Sequence, residues 1–248
     1  MTFEEIIGAI PQKPYFRDET ADIVIYCADC REILKFIPDK SIDLMLTDPP
    51  YESQHLEYGD TDISFLDDYS CRQLIFWSAR DIFPLSYSSV HIWSKIFVIK
   101  ATTIKNVYSQ YERIFERNGD GKWWRMFHAK KLHNQIDAQM NRDILTIHPS
   151  QKPQRIITDL ILLYSDIHNL ILDPFLGSGT TAYCAKKLGR KCIGIEIEER
   201  YCRIAVERLR QSIMKLEQIS KLTGTKRQYT PAPSIDEHDQ KLLDAERF

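Results

Sequence analysis

The sequence predicts a doubly wound α/β fold, in which a mostly parallel sheet has helices on both faces. Three observations lead to this prediction: the strand-like segments are short and almost continuously apolar, helical segments alternate with them, and a glycine-rich turn follows one of them. Apolar strands of this kind are typical of a sheet that is covered on both faces. In such sheets, ligands bind at the carboxyl ends of the strands.

The first part of the chain supplies two of the predicted strands. The segment ADIVIYCADC ends a strand near Asp29, and the short helix REILKFI follows it. A second strand, within DKSIDLMLTD, ends at Asp48, and two prolines and a tyrosine come next. Because proline cannot continue a sheet ladder, we expect a stiff strand tip that displays a carboxylate and an aromatic ring.

The central part of the chain is less regular and strongly basic. A helix is expected over part of 64–83, and SSVHIWS has the pattern of a further strand. Between Lys95 and Arg155 there are 12 Lys and Arg residues against 5 Asp and Glu, although the whole chain has a net charge of −2. Interleaved aromatic side chains favour a nucleic-acid partner, through phosphate neutralisation and base stacking. A basic solvated surface is the alternative interpretation.

The last part of the chain is regular again. Its segments are, in order, the helix SQKPQRIITDLILLYS, the strand NLILDP, the loop FLGSGTT, the helix AYCAKKLG, the strand KCIGIEI and an amphipathic helix from about Glu199. Gly177 and Gly179 let backbone N–H groups approach a ligand, and the helix N-terminus behind them favours an anion. Glu196 ends the next strand, where an acid can bind both hydroxyls of a ribose. Taken alone, this pattern also fits an NAD-dependent dehydrogenase.

Three segments that occur in one order, TDPPY, HPSQKP and DPFLGSGTT, resemble the motifs of amino-group DNA methyltransferases that use S-adenosylmethionine. The chain is most similar to the permuted β class, in which the catalytic tetrapeptide precedes the cofactor loop. The resemblance covers roughly 22–100 and 146–212. It implies a Rossmann-like methyltransferase sheet with a circularly permuted motif order, S-adenosylmethionine as cofactor and double-stranded DNA as substrate.

The resemblance also assigns cofactor-binding residues. Asp29 matches the acid beside the adenine ring of the cofactor, and Glu196 matches the acid that binds its ribose. Lys152 matches the contact to the methionine carboxylate. The family's cofactor loop corresponds to Asp173, Phe175, Gly177, Gly179, Thr180 and Thr181, in which the phenylalanine packs on the cofactor and the two threonines lie near its methionine end.

The catalytic tetrapeptide of the family corresponds to Asp48, Pro49, Pro50 and Tyr51. An exocyclic amino group of a base is a poor nucleophile, because its lone pair is delocalised into the ring. If Asp48 and the Pro49 carbonyl accept its two N–H bonds, the lone pair can point at the sulfonium methyl group. The base must be flipped out of the duplex, and Tyr51 is the ring on which it would stack. This version of the tetrapeptide predicts adenine N6 as the target; cytosine N4 is the alternative.

A single methyltransferase domain is predicted over 1–220, with a short basic target-recognition insertion at about 100–147 and a polar tail at 221–248. A small recognition region suggests a short target or help from a second subunit, as in a homodimer. A cognate restriction endonuclease is a further partner that the resemblance implies. The expected DNA contacts from the insertion are Trp123, Trp124, Arg125, Lys130, Lys131 and Arg142.

Neither a membrane span nor a secretion signal is expected. No apolar stretch approaches the roughly 20 residues of a membrane span, and acids stand where a signal peptide carries positive charge. We expect a cytoplasmic protein of a bacterial, archaeal or phage-infected cell, with its six cysteines as free thiols. Cys27 and Cys30 form a CxxC without the second ligand pair that zinc needs, so no metal is expected.

Overall fold

Alternating strands and helices make up the parts of the chain that the structure describes. The structure is a computed structural model, and it describes residues 1–51, 62–94, 111–121, 124–128 and 152–210. The strands are β1 (Phe16–Asp18), β2 (Ile23–Cys27), β3 (Leu44–Thr47), β4 (Arg72–Trp77), β5 (Ser89–Ser94), β6 (Tyr111–Arg117), β7 (Met126–His128), β8 (Leu170–Asp173) and β9 (Lys191–Glu196). The helices are α1 (Phe3–Ala9), α2 (Cys30–Leu34), α3 (Gln154–Tyr164), α4 (Thr180–Lys187) and α5, of which 199–210 are described.

The strands form one mixed sheet in the order β1-β2-β9-β8-β3-β4-β6-β5-β7. The central strands β2, β9, β8, β3 and β4 run parallel to one another, whereas β1 is antiparallel to β2 and β6 is antiparallel to both β4 and β5. The carboxyl ends of the five parallel strands and the beginning of β6 therefore lie along one edge. This is the edge where a ligand is expected.

Two hydrophobic cores lie on opposite faces of this sheet. In β2, Ile23 and Ile25 belong to one core and Val24 and Tyr26 to the other, because successive side chains of a strand point to opposite faces. The first core includes side chains of α3, α4 and α5, and the second includes side chains of α1 and α2. Helices thus cover both faces, which confirms the predicted α/β arrangement.

The helix predicted over part of 64–83 is found only in the first residues of that range. Ser64–Asp68 is a short 3-10 helix, and β4 follows it as a strand between β3 and β6. The apolar run LIFW of β4 is buried on both faces of the sheet, and burial of this kind gives no period that would separate a strand from a helix. The strand predicted in SSVHIWS is confirmed as β5.

The central stretch 100–147 contains one regular element that the sequence does not predict. Tyr111–Arg117 form β6, a strand of seven residues that pairs with two others. The remainder of the predicted insertion, apart from 118–121 and 124–128, lies outside the described residues, as do the predicted domain limit at 220 and the tail at 221–248. Those domain limits stay predictions.

No helix within the described part of the chain is long and apolar enough to cross a membrane. The six cysteines, all of which are described, are free thiols, as predicted. Cys27 ends β2 and Cys30 begins α2, which are the structural positions expected for this pair. Among the described residues there is no group of three or more His, Cys, Asp or Glu side chains that would hold a metal ion.

Candidate active site

The tips of β3 and β8 are joined by a side-chain hydrogen bond. The Thr47 hydroxyl donates to Asp173 Oδ1 over 2.7 Å, and both residues are buried. The same carboxylate oxygen accepts the Phe175 backbone N–H at 3.2 Å, which shapes the start of the glycine loop. Because Asp48 follows Thr47 directly, this bond brings the predicted catalytic acid next to the predicted cofactor loop.

The glycine loop turns sharply before α4. Gly177 and Gly179 have φ angles of 53° and 77°, in the left-handed region that favours glycine. A Cβ atom at Gly179 would lie 2.5 Å from Ala205 Cβ, so α5 packs directly against the loop backbone. The predicted threonines follow: Thr181 bonds to Asp173, and the Thr180 hydroxyl accepts a hydrogen bond from Arg208 at 2.7 Å.

Two further acids lie at neighbouring strand tips. Glu196 ends β9, and its carboxylate oxygens accept the backbone N–H groups of Gly177 and Glu198, each at 2.8 Å. Burial raises the pKa of Glu196, although these hydrogen bonds act in the opposite direction. Asp29 caps the N-terminus of α2, and the Arg31 guanidinium and backbone N–H bonded to it lower its pKa. The cofactor roles predicted for both acids stay predictions.

A buried ion cluster includes the predicted catalytic acid. The Lys152 ammonium donates to Asp48 Oδ2 and lies 3.2 Å from Glu112 Oε2 of β6. It also lies 5.3 Å from the centroid of the Phe76 ring. Burial alone would lower the pKa of Lys152, but the two carboxylates outweigh burial and raise it. The predicted contact of Lys152 to a cofactor carboxylate stays a prediction, since its partners here are protein carboxylates.

Aromatic side chains support the predicted stacking ring. Tyr51 is half-buried, and its ring centroid is 5.5 Å from that of Trp77, the last residue of β4. Trp77 is fixed in turn by Phe83 at 5.4 Å and by a 3.2 Å hydrogen bond from its indole to the Ile82 carbonyl. Pro49 is buried, so packing restrains the backbone between Asp48 and Tyr51.

Three residues of this edge did not emerge from the sequence. The sequence predicts a helix over part of 64–83 and no strand at 72–77, so it does not indicate that Trp77 ends a strand. Glu112 lies in a stretch for which the sequence predicts no regular element, although Glu112, Ile114 and Glu116 alternate on one buried face. Phe65 lies 6.3 Å from the ring of Phe175, and no sequence pattern indicates this contact.

The described residues include only two of the predicted DNA contacts. Trp124 is 68% exposed, in keeping with a side chain available to a partner. Arg125 is exposed, and its backbone N–H donates to His91 Nδ1 at 3.1 Å. Trp123, Lys130, Lys131 and Arg142 lie outside the described residues, and DNA contact by any of the six stays a prediction.

The buried Asp173 carboxyl makes stability depend on pH. Burial raises its pKa to about 6, well above the usual value for an aspartate. The folded state therefore binds more protons than the unfolded state between about pH 4 and pH 6, and the free energy of unfolding falls as pH rises through this range. We expect Asp173→Asn to remove this fall. Denaturant unfolding of the unaltered protein and of Asp173→Asn at pH 4 to 7 measures the free energy of unfolding. If the two free energies changed in parallel with pH, the expectation would be contradicted.

The fold is one that solved structures of DNA methyltransferases share. The chain shares its fold with the PvuII DNA methyltransferase (cytosine-N4-specific): the TM-score is 0.60, at 13% identity, over 85% of this chain and 95% of that one. The M1.HpyAVI–SAM complex matches with a TM-score of 0.51, at 24% identity, over 75% of this chain and 100% of that one.

The chain belongs to the N6/N4 DNA methylase family, whose model, described as DNA methylase, matches residues 73–207. It is 28% identical to the type II methyltransferase M2.LlaDCHI of Lactococcus lactis subsp. cremoris, over 82% of this chain and 94% of the relative. It is 26% identical to the type II methyltransferase M.HinfI of Haemophilus influenzae, over 74% of this chain and 67% of the relative. The chain is thus an S-adenosylmethionine-dependent amino-group DNA methyltransferase, and membership of this family decides against the dehydrogenase alternative.

Proposed function

We propose that this enzyme methylates the N6 amino group of an adenine that is flipped out of double-stranded DNA, at a specific site. The observation that carries the proposal is the hydrogen bond between Thr47 and Asp173. It supports a site in which Asp48 and the glycine loop act together, although 126 residues separate the two bonded side chains. Amino methylation needs this proximity, because acceptor and donor must meet within bonding reach.

The residues at the edge of the sheet fit S-adenosylmethionine by their chemistry. The Glu196 carboxylate accepts backbone N–H groups at both oxygens, and a carboxylate has about four lone-pair sites, which leaves capacity for a ribose hydroxyl. Phe175 offers an apolar ring beside the glycine loop. Asp29 follows β2, the strand that pairs with β9 and lies next to Glu196. The cofactor residues proposed in full are Asp29, Lys152, Asp173, Phe175, Gly177, Gly179, Thr180, Thr181 and Glu196. When bound, the cofactor supplies an electrophilic methyl group on a sulfonium centre.

Asp48 and the Pro49 carbonyl are proposed to accept the two N–H bonds of the target amino group. The carboxylate stabilises the positive charge that develops on nitrogen, and the stiff Pro49–Pro50 backbone keeps both acceptors in register. Tyr51 stacks on the extruded base, and its contact with Trp77 fixes the plane of its ring. No strong base is required for this reaction.

The proposed subclass is the permuted β class. In the sheet, β3 with its Asp48 tip lies beside β8 with the glycine loop, yet β3 comes first in the chain. This order, catalytic tetrapeptide before cofactor loop, supports the proposal. A cognate restriction endonuclease is proposed from the type II relatives, and a homodimer stays a prediction.

Adenine is proposed over cytosine because the tetrapeptide begins with Asp48. The solved neighbour that is named as cytosine-N4-specific shares only the fold at 13% identity, so it does not decide the base. The test is to methylate duplex DNA with labelled S-adenosylmethionine, map the modified positions by sequencing and separate the nucleosides of the digested product. We expect N6-methyladenine in one sequence context. N4-methylcytosine alone would establish the alternative, and no label in DNA would overturn the proposed function.

A further inference from the structure

Glu112 shares the ammonium of Lys152 with the proposed catalytic acid. The three residues come from different parts of the chain: Asp48 follows β3, Glu112 lies in β6 and Lys152 precedes α3. Because Trp77 at the end of β4 pairs with Arg113, the beginning of β6 lies at the edge where β4 ends. Glu112 therefore belongs to the same edge as the proposed catalytic acid, although it lies outside the tetrapeptide.

Two carboxylates and one ammonium give this cluster a net charge of −1. Lys152 and Glu112 are 7% and 9% exposed, so both charges are held largely away from water. A buried charge is costly unless it is paired, and removal of one partner leaves the other uncompensated. Among the described residues, Lys152 is an ion-pair partner that both carboxylates share.

The proposed reaction brings a competing donor to Asp48. The amino group of the base must donate an N–H to the same carboxylate that now accepts from Lys152. If Asp48 were the sole side-chain anion near Lys152, this exchange would leave a buried ammonium beside the Phe76 ring without a charged side-chain partner. Glu112 removes that difficulty, because it stays bound to the ammonium while Asp48 turns to the base.

We infer that Glu112 is a positioning residue for methyl transfer, which retains Lys152 in the cluster and lets Asp48 exchange the ammonium for the amino group of the base. The inference rests on the proposed role of Asp48. Glu112 acts through Lys152 and needs no contact with the base or the cofactor.

The first test compares Glu112→Gln with a matched control on the same strand. Glu112→Gln keeps the shape and removes the charge, so Lys152 pairs with Asp48 alone and competes with the base. We expect kcat/KM on duplex DNA to fall about 10- to 100-fold, the range for losing one hydrogen bond to a charged group. The control is Glu116→Gln, which removes a buried carboxylate paired with Arg72 at 3.1 Å at the other end of β6. It should lower the melting temperature but leave kcat/KM within about threefold.

The second test uses pH to separate positioning from mere stability. Lys152→Met removes the ammonium that both carboxylates contact, and like charges raise each other's pKa, so the acidic limb of kcat against pH moves to higher pH. Adding Glu112→Gln to Lys152→Met should return this limb toward its original position, because Asp48 loses its charged neighbour. Among the described residues, Asp173 and Tyr51 also act on this cluster, and they are the same in all variants.

The outcomes are distinguishable. If Glu112→Gln and Glu116→Gln reduce kcat/KM equally, or if the double variant keeps the shifted limb, Glu112 has no positioning role. If Lys152→Met does not fold, the comparison of the two glutamine variants decides alone. If the unaltered enzyme transfers no methyl group to DNA, the proposed function fails first, which differs from an active enzyme with an inert Glu112.

Discussion

Asp48→Asn is expected to abolish most methyl transfer while the fold and cofactor binding survive. The substitution keeps the size of the side chain, but it removes the negative charge that stabilises the positive charge developing on the amino nitrogen. We expect kcat to fall about 100- to 1,000-fold, the cost typical of removing one preorganised electrostatic partner of a transition state. Single-turnover transfer of labelled methyl groups to duplex DNA measures this loss, and a titration of S-adenosylhomocysteine monitors cofactor binding.

A matched control for this variant lies beside the opposite end of the same strand. Asp43 precedes β3, is exposed, and accepts the Leu170 backbone N–H at 2.7 Å at the opposite end from Asp48. Asp43→Asn should leave kcat unchanged. A normal transfer rate in Asp48→Asn would show that the proposed mechanism is wrong, whereas loss of transfer in both variants would point to damage of the strand.

Gly179→Ala should disrupt the glycine loop more strongly than its single added methyl group suggests. The new Cβ atom would lie 2.5 Å from Ala205 Cβ and 2.9 Å from Ala205 Cα, and part of this contact is backbone of α5, which cannot rotate away. Overpacking of this kind costs about 1–3 kcal/mol. The left-handed backbone at φ 77° adds about 1–2 kcal/mol for any residue other than glycine. We expect a lower free energy of unfolding and a loss of cofactor binding together.

Gly189 allows the two costs to be separated. Its φ angle is 71°, close to that of Gly179, but an added Cβ atom would meet only Ile167 Cγ2 at 3.7 Å, an ordinary contact. Gly189→Ala should therefore show the backbone cost alone, about 1–2 kcal/mol, and should retain cofactor binding. Denaturant unfolding and calorimetric titration with S-adenosylhomocysteine measure both effects. Equal losses in the two variants would contradict a steric role for Ala205.

Local sequence patterns predicted those strands of the sheet that are followed by a distinctive turn. β2, β3, β8 and β9 emerged from apolar runs that end at acids, prolines or glycines, because turn chemistry resides in contiguous residues. The prediction failed in the middle of the chain. The sequence predicts no strand at β4, because burial on both faces leaves no strand period there, and none at β6, because its charged residues are typical of a loop.

Glu116 shows why the charges of β6 were misleading. It is 3% exposed and contacts Arg72 at 3.1 Å and His91 Nε2 at 3.1 Å. Charged residues are usually solvated, so a strand that buries two glutamates contradicts the ordinary expectation from composition. The partners that make this burial tolerable lie on other strands, where no local pattern indicates them.

The sequence by itself determined the strand tip at Asp48, the glycine loop and the acid that ends β9, because each depends on residues adjacent in the chain. The tertiary structure decided which of these groups meet. Thr47 reaches Asp173 across 126 residues, and Lys152 reaches Asp48 across 104. Such contacts follow from strand order, which is set by the packing of whole elements rather than by the residues at the contact. For the same reason the place of Glu112 beside Asp48 became visible only in the folded chain.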